Sequence, residues 1–419
     1  MRIWYRNLDY FTIIAWMALV MIGLVAIYST TNGPSAEYLL ESVRQNFWRQ
    51  LAWVVISLGA GLICLFLPVH FFQRIAWVAY LGTLLLLALA LLFGREVNGA
   101  RSWLQIGGLS LQVSEVAKVG AVLAGGQLIS TMRPNSSRVK YAIFLLGVFL
   151  TPMALILLQN DAGTALVFFA IAPIALFWSI WPTGMFIVMV ATGIAGYFSI
   201  VHLPTAIVFS VLFTLAVLWQ TRERVYGVMA GVFSFGAIAA VLFALNQVFR
   251  PHQVARILSF TNPGAEEFRS GVGFQLVQSK AAIGSGGLAG KGFMEGTQTQ
   301  GAYVPEQSTD FVFSIIGEEW GFIGSMVVIA MFALLLVRMI QMGIQIKHPF
   351  GSMAAAGIAA IYLVHVFVNI GTVVGLLPVI GIPLPFVSYG GSAMLANTVL
   401  LAILLNLHMR RDDFPIYVY

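Results

Sequence analysis

The chain has 419 residues, of which 59% are hydrophobic and only 9% charged, with a mean hydropathy of +0.91. A soluble domain carries about 25% charged residues, so this composition excludes a water-soluble globular fold and implies a polytopic membrane protein. The formal charge of +6 does not point to nucleic acid, because the basic residues are scattered near the ends of apolar runs, and the single Cys64 excludes an intramolecular disulfide.

In chain order, apolar stretches predict an all-α bundle of twelve membrane helices forming one integral membrane domain over residues 1–419. They fall at roughly 10–30, 49–67, 74–93, 113–131, 141–158, 163–180, 184–201, 204–219, 225–248, 309–338, 352–376 and 387–408. About 20 apolar residues cross ~30 Å of hydrocarbon. The first, Tyr10 to Tyr28, lacks a small-residue cleavage site and reads as a retained helix. The seventh and eighth form a short hairpin joined by His202-Leu203-Pro204.

Orientation follows from the basic residues. With the N-terminus inside, the cytoplasmic segments hold Arg2, Arg6, Arg74, Arg133, Arg138, Lys140, Arg222, Arg224, Arg338, Lys347, Arg410 and Arg411. The short external loops hold only Arg44, Arg49, Arg95 and Arg101. This places both termini in the cytoplasm and the long segment 249–308 outside. Trp48, Trp103, Trp178 and Trp181 fall near span ends, where interfacial anchoring is expected.

With this topology, Glu115, Lys118, Asp161, Glu306 and Asp310 all gather at the outer membrane face. In 98–120, Ser114 is suited to cap the fourth span, and Glu115 and Lys118 at i, i+3 share one face. The pair reads either as a structural ion pair or as a charge poised beside an anionic headgroup. In 157–167, Asp161 reads as the N-cap of the helix running through Thr164. "IGSGGLAGKGF" (283–293) fails as a phosphate-binding Walker loop, since Ser285 replaces the first glycine and Gly292 follows Lys291 where Ser or Thr is needed. Its glycines suit a loop lying flat at the headgroup level, where Lys280 and Lys291 meet phosphate.

The stretch from Ser308 is the sharpest. Ser308 or Thr309 would cap a helix and place Asp310 in its first turn, ionised and at the water boundary, as a general base requires. Completing the helix dipole is the bland alternative. Glu318 and Glu319 lie deeper and need partners, which favours packing roles. His365 reads as a hydrogen-bonded interior histidine. "LPVIGIPLPFVSYGGSA" (377–393) cannot pair all its backbone groups internally, so it marks a pocket wall.

At "NGARSWLQIG", "LQVSEVAK", "QNDAGTALV", "QSKAAIGSGGLAGKGFMEGTQTQ", "VPEQSTDFVFSIIGEEWGFIG" and "GLLPVIGIPLPFVSYGGSA" the chain resembles the SEDS family of bacterial membrane glycosyltransferases, in the family's order. The glycine-loop wording is nearer to the elongation member than to its division counterpart. The resemblance implies an inverting peptidoglycan glycosyltransferase of the cytoplasmic membrane that polymerises lipid II at the outer leaflet. It puts the family's essential aspartate on Asp310 and its lining residues on Arg49, Arg101, Gln112, Glu115 and Lys118. It implies a class B penicillin-binding protein and the elongation machinery as partners. No cofactor is evident, although magnesium or manganese near Asp310 is compatible with the chemistry. The chain departs from the family at Val113 and Asn160, where proline is usual, at Tyr303-Val304, and in having twelve spans against the usual ten; the surplus is assigned to roughly 184–219. The rivals are a flippase for the same lipid and a non-catalytic scaffold.

Overall fold

The computed structural model describes residues 7–97, 99–106, 109–132, 137–180, 183–221, 224–248, 251–263, 265 and 272–413. Arg2, Arg6, Arg133, Trp181 and Arg222 of the topology argument lie outside them. The chain divides into two compact units, one of residues 1–179, 278–374 and 380–419, the other of residues 180–277 and 375–379.

The larger unit begins with α1 (Tyr10–Asn32), α2 (Glu41–Arg44), α3 (Asn46–Phe66) and α4 (Val69–Phe93). Asp9 caps α1 through the Thr12 amide at 2.9 Å and receives the Arg338 Nε at 2.6 Å. Three antiparallel strands follow, β1 (Arg95–Val97), β2 (Ala100–Ile106) and β3 (Leu109–Gln112). The all-α reading did not anticipate them. This stretch is too short to span, so its backbone groups pair with one another, in register from Trp103 opposite Gln112 to Ile106 opposite Leu109. Next come α5 (Val113–Ser130), α6 (Arg138–Leu158) and α7 (Ala162–Ser179).

The smaller unit holds α8 (Thr183–Val201), α9 (Leu203–Thr221), α10 (Arg224–Phe243) and α11 (Pro251–Ser259). Ala195, Ala206 and Ile238 form its small core with Phe198, Phe209 and Leu242. α12 (Val272–Ser285) straddles the division, and α13 (Thr297–Gln300), α14 (Val312–Glu319), α15 (Gly321–Gln345), α16 (Pro349–Val373) and α17 (Gly391–Met409) complete the larger unit. The segment 249–308 is therefore not a plain loop, because α11, α12 and α13 lie within it.

Each of the twelve predicted stretches falls on helical structure, the tenth on two helices. Among the described residues, eleven helices are long and apolar enough to cross a membrane. The remaining one is α5, whose Glu115, Lys118 and Gln127 lower its hydropathy. It is instead packed against α4, α6, α7, α16 and α17, with most of its side chains buried. Together with α16 and α17, most of whose residues are likewise buried, it forms the core of the larger unit. A helix surrounded by protein can carry charges that lipid would reject.

Two spans differ from expectation. The tenth is not continuous over 309–338: α14 ends at Glu319, and α15 starts at Gly321, whose φ of +68° breaks the helix. The last starts at Gly391, not 387, because residues 380–390 are committed to contacts described below. Trp178 is also turned to a specific partner, donating its indole N–H to Ser352 Oγ at 3.0 Å.

Candidate functional site

At the junction of β3 and α5, Gln112 is the N-cap residue of α5 but caps nothing with its side chain. Its amide donates to Ser392 Oγ (2.9 Å) and its Nε2 to Asp161 Oδ2 (3.2 Å), tying α5, α7 and α17 together. Asp161 caps α7 as expected, receiving the Thr164 amide and hydroxyl, each at 3.0 Å. Ser114 does not cap. The helix starts one residue earlier, and the Ser114 hydroxyl is buried without a hydrogen bond among the described residues. The departures at proline positions also have reasons. Asn160 has φ of +61°, which a proline ring forbids, and Val113 is the first helical residue, where either residue fits.

The Lys118 Nζ lies 2.7 Å from Glu115 Oε2, off the line of a hydrogen bond, with Lys118 fully buried and Glu115 2% exposed. The lysine therefore does not face a headgroup. It also contacts His365 Nε2 at 2.9 Å, and His365 Nδ1 lies 3.1 Å from the Pro383 carbonyl. A lysine can only donate, so Nε2 accepts and Nδ1 carries the proton given to Pro383. The ion pair on α5 is thus linked, through one neutral histidine, to the proline-glycine wall.

Asp310 is not in the first turn of a helix. It lies in the turn preceding α14, whose N-cap residue is Phe311 with no side-chain cap. Neither Ser308 nor Thr309 caps; their carbonyls are taken by the wall. The Tyr389 amide donates to the Ser308 carbonyl at 2.8 Å, and Ser388 Oγ donates to the Thr309 carbonyl at 2.5 Å. Asn369 Nδ2 donates to the Asp310 carbonyl at 2.8 Å. Gln50 fixes the wall from α3, donating to the Ser388 carbonyl (3.3 Å) and accepting from the Gly390 amide (3.1 Å). Residues 380–390 thus do form a wall beside the acidic segment, as their unpairable backbone suggested.

The glycine loop does not lie flat. It splices the break between α14 and α15. The Lys291 and Gly292 amides donate to the Glu318 and Glu319 carbonyls, each at 3.0 Å, and the Phe322 and Ile323 amides donate to the Gly287 and Leu288 carbonyls at 2.9 and 3.1 Å. At Gly290 (φ +84°) a Cβ would stand 2.1 Å from the Glu319 carbonyl oxygen, so only glycine permits this approach. Lys291 does not present itself to phosphate: its Nζ binds Glu318 Oε1 (2.9 Å), Ser285 Oγ (2.7 Å) and Thr297 Oγ1 (2.6 Å).

Glu318 also receives the Gln298 and Thr299 amides at 2.9 and 2.8 Å, while Glu319 receives Ser29 Oγ and Gln300 Nε2. Both carboxylates have the partners their depth demanded. The melting temperature of Glu318→Gln should lie well below wild type, because a neutral amide cannot pair with Lys291 as the carboxylate does while it accepts the Gln298 and Thr299 amides; an unchanged melting temperature would contradict the assignment.

Among the described residues, no hydrogen bond or ion pair joins the remaining predicted residues, Arg49, Arg101, Lys280 and Glu306, to one another. Arg49 is exposed on the first turn of α3, donating to Gln45 Oε1 (3.1 Å), and Arg101 on β2 pairs with Glu96 at 3.3 Å. Lys280 is exposed on α12. Glu306 is exposed, in the left-handed region (φ +51°), and accepts from Thr309 Oγ1 at 2.9 Å. Residue-level reading missed Gln50, Asn369 and Ser388. The available signal was a polar residue inside or beside an apolar run, since such groups in a membrane bundle need a partner.

A multi-helix membrane bundle with a buried ion pair wired to an irregular wall, and an aspartate pinned against that wall, defines an integral membrane protein with a polar site embedded among its helices. The chain belongs to the FtsW/RodA/SpoVE cell cycle protein family, whose model matches residues 9–205 and 201–413. It is 30% identical to the peptidoglycan glycosyltransferase RodA of Treponema pallidum, over 97% of this chain and 98% of that one. It is 32% identical to a probable peptidoglycan glycosyltransferase FtsW of Pseudomonas fluorescens (96% and 88%) and 30% identical to MrdB of Escherichia coli (87% and 85%). Among solved structures it resembles a chain of a peptidoglycan synthase complex that coordinates polymerisation and crosslinking, with TM-score 0.72 and 26% identity over 97% of this chain and 99% of that chain. The fold also matches Thermus thermophilus RodA, with TM-score 0.62 and 24% identity over 96% and 97%.

Proposed function

We propose that this chain is a peptidoglycan glycosyltransferase of the bacterial cytoplasmic membrane, polymerising lipid II at the outer leaflet during cell elongation with Asp310 as general base. The observation that carries the reading is Asp310 itself, an aspartate whose two preceding carbonyls are pinned to a wall that the Lys118 pair also reaches and whose own carbonyl is held by Asn369. Preorganised groups of this kind need no rearrangement as charge develops.

The acceptor lipid II presents the 4-hydroxyl of its N-acetylglucosamine to Asp310. The carboxylate takes the hydroxyl proton as the oxygen bonds to the anomeric carbon of the lipid-linked chain. The anomeric carbon–oxygen bond to the diphosphate breaks with inversion, and the electron pair leaves on polyprenyl diphosphate. Arg49 and Arg101, exposed and long, suit the departing diphosphate, while Gln112, Asp161, Glu306 and Lys280 are candidate contacts for the headgroup. Among the described residues no three His, Cys, Asp or Glu side chains group around a metal position. Magnesium or manganese, if bound, would be held at Asp310 and would neutralise charge developing on the leaving diphosphate.

A class B penicillin-binding protein is the expected partner, consistent with the synthase complex that the fold resembles. The direct test is purified protein given labelled lipid II, with and without that transpeptidase. Glycan chains support the reading; translocation of lipid II without chains would favour a flippase, which the broken helix and irregular wall also suit.

The topology is testable separately. With both termini cytoplasmic, a reporter fused near His202, between α8 and α9, should read as external and one near Lys347 as cytoplasmic. A cytoplasmic signal at His202 would rule out the twelve-span arrangement.

A further inference from the structure

Asn369 sits on α16 one turn beyond His365 and is 2% exposed. Its Nδ2 donates two hydrogen bonds of 2.8 Å, one to the carbonyl of Asp310 and one to that of Ile382 in the wall. An amide nitrogen has two protons, so both are used, and the flipped carboxamide would set oxygen against two carbonyls. Its orientation is therefore fixed. Its Oδ1 has no hydrogen-bond partner among the described residues. Gly381 has φ of +82°, and a Cβ there would stand 3.3 Å from Asp310 Oδ2. The aspartate is thus held by its backbone at Asn369 while its carboxylate lies against the bare Cα of Gly381.

We infer that Asn369 is the positioning residue of the glycosyl-transfer site, locking the Asp310 backbone to Ile382 so that the Asp310 carboxylate stays over Gly381 to meet the acceptor hydroxyl. The inference rests on Asp310 being the base. Asn369 touches no reacting atom in this scheme and acts only through Asp310. Releasing the clamp frees the turn preceding α14, and a misplacement of about 1 Å commonly costs ~10²-fold in rate.

The test compares Asn369→Ser with Asn406→Ser in the intact protein with its transpeptidase. Asn406 makes the same kind of clamp elsewhere on α17, to the carbonyls of Cys64, Leu65 and Leu67 at 2.9, 3.0 and 2.8 Å. Both variants should melt lower than wild type. Only Asn369→Ser should lose kcat, by roughly 30- to 100-fold, with KM for lipid II within about threefold of wild type. Equal kcat in the two variants, or a loss confined to KM, would overturn the inference. Should Asn369→Ser not fold, Asn369→Asp keeps the shape but turns carboxylate oxygens on two carbonyls. Its activity relative to wild type should then rise as pH falls, because the protonated acid regains one donor; a flat ratio overturns the clamp. Asp310→Asn run alongside separates the two readings. If it retains full activity while Asn369→Ser is impaired, the base assignment fails and Asn369 positions some other group.

Discussion

Asp310→Asn should polymerise lipid II at least ~10²–10⁴-fold more slowly than wild type, the usual range for loss of a general base. The substitution keeps size and polarity, and asparagine shares the carbonyl that accepts from Asn369. The fold should therefore survive, and the melting temperature should barely move. Lipid II binding should also be nearly unchanged, because the side chains proposed to meet the diphosphate, Arg49 and Arg101, are untouched. Chain length on gels, with purified wild type and variant each supplied with the cognate transpeptidase, checks the expectation. Equal polymerisation would remove Asp310 from the base role and reopen the choice among Glu306, Asp161 and Glu115.

Lys118→Ala should be severe for a different reason. It leaves Glu115 buried without its counter-charge and His365 Nε2 without its donor. Removing one member of a buried pair commonly costs about 3–5 kcal/mol. Activity should fall too, because the route from α5 through His365 to the Pro383 carbonyl loosens the wall that holds Asp310. Lys118→Ala combined with Glu115→Gln should restore much of the stability, since no uncompensated charge remains, but not the activity. Thermal melts and polymerisation assays on the single and double variants distinguish the effects. A double variant with full stability and full activity would make Lys118 purely structural.

The elements legible in the sequence were those governed by local chemistry. All twelve predicted stretches fall on helices because a membrane leaves the backbone no alternative over some 20 apolar residues. Asp161 capping α7 and Glu115 paired with Lys118 follow from spacing alone. The glycine loop was misread because glycine signals close approach without saying to what, and here it is the broken end of α14. Lys291 was assigned to phosphate because its partner, Glu318, lies 27 residues away.

By itself, the sequence determined that this protein is a polytopic helical membrane protein, that its charges are few, and that residues 377–393 cannot be a simple span. Hydropathy, helix spacing and backbone pairing are properties of a segment, so they can be read from the segment. Only the tertiary structure decided that α5 is the sheathed core helix, that Lys118 turns to His365, and that Asp310 is held by Asn369 and the wall. Each of these joins residues tens to hundreds of positions apart, and a hydrogen-bonding group carries no local mark of which distant carbonyl will satisfy it.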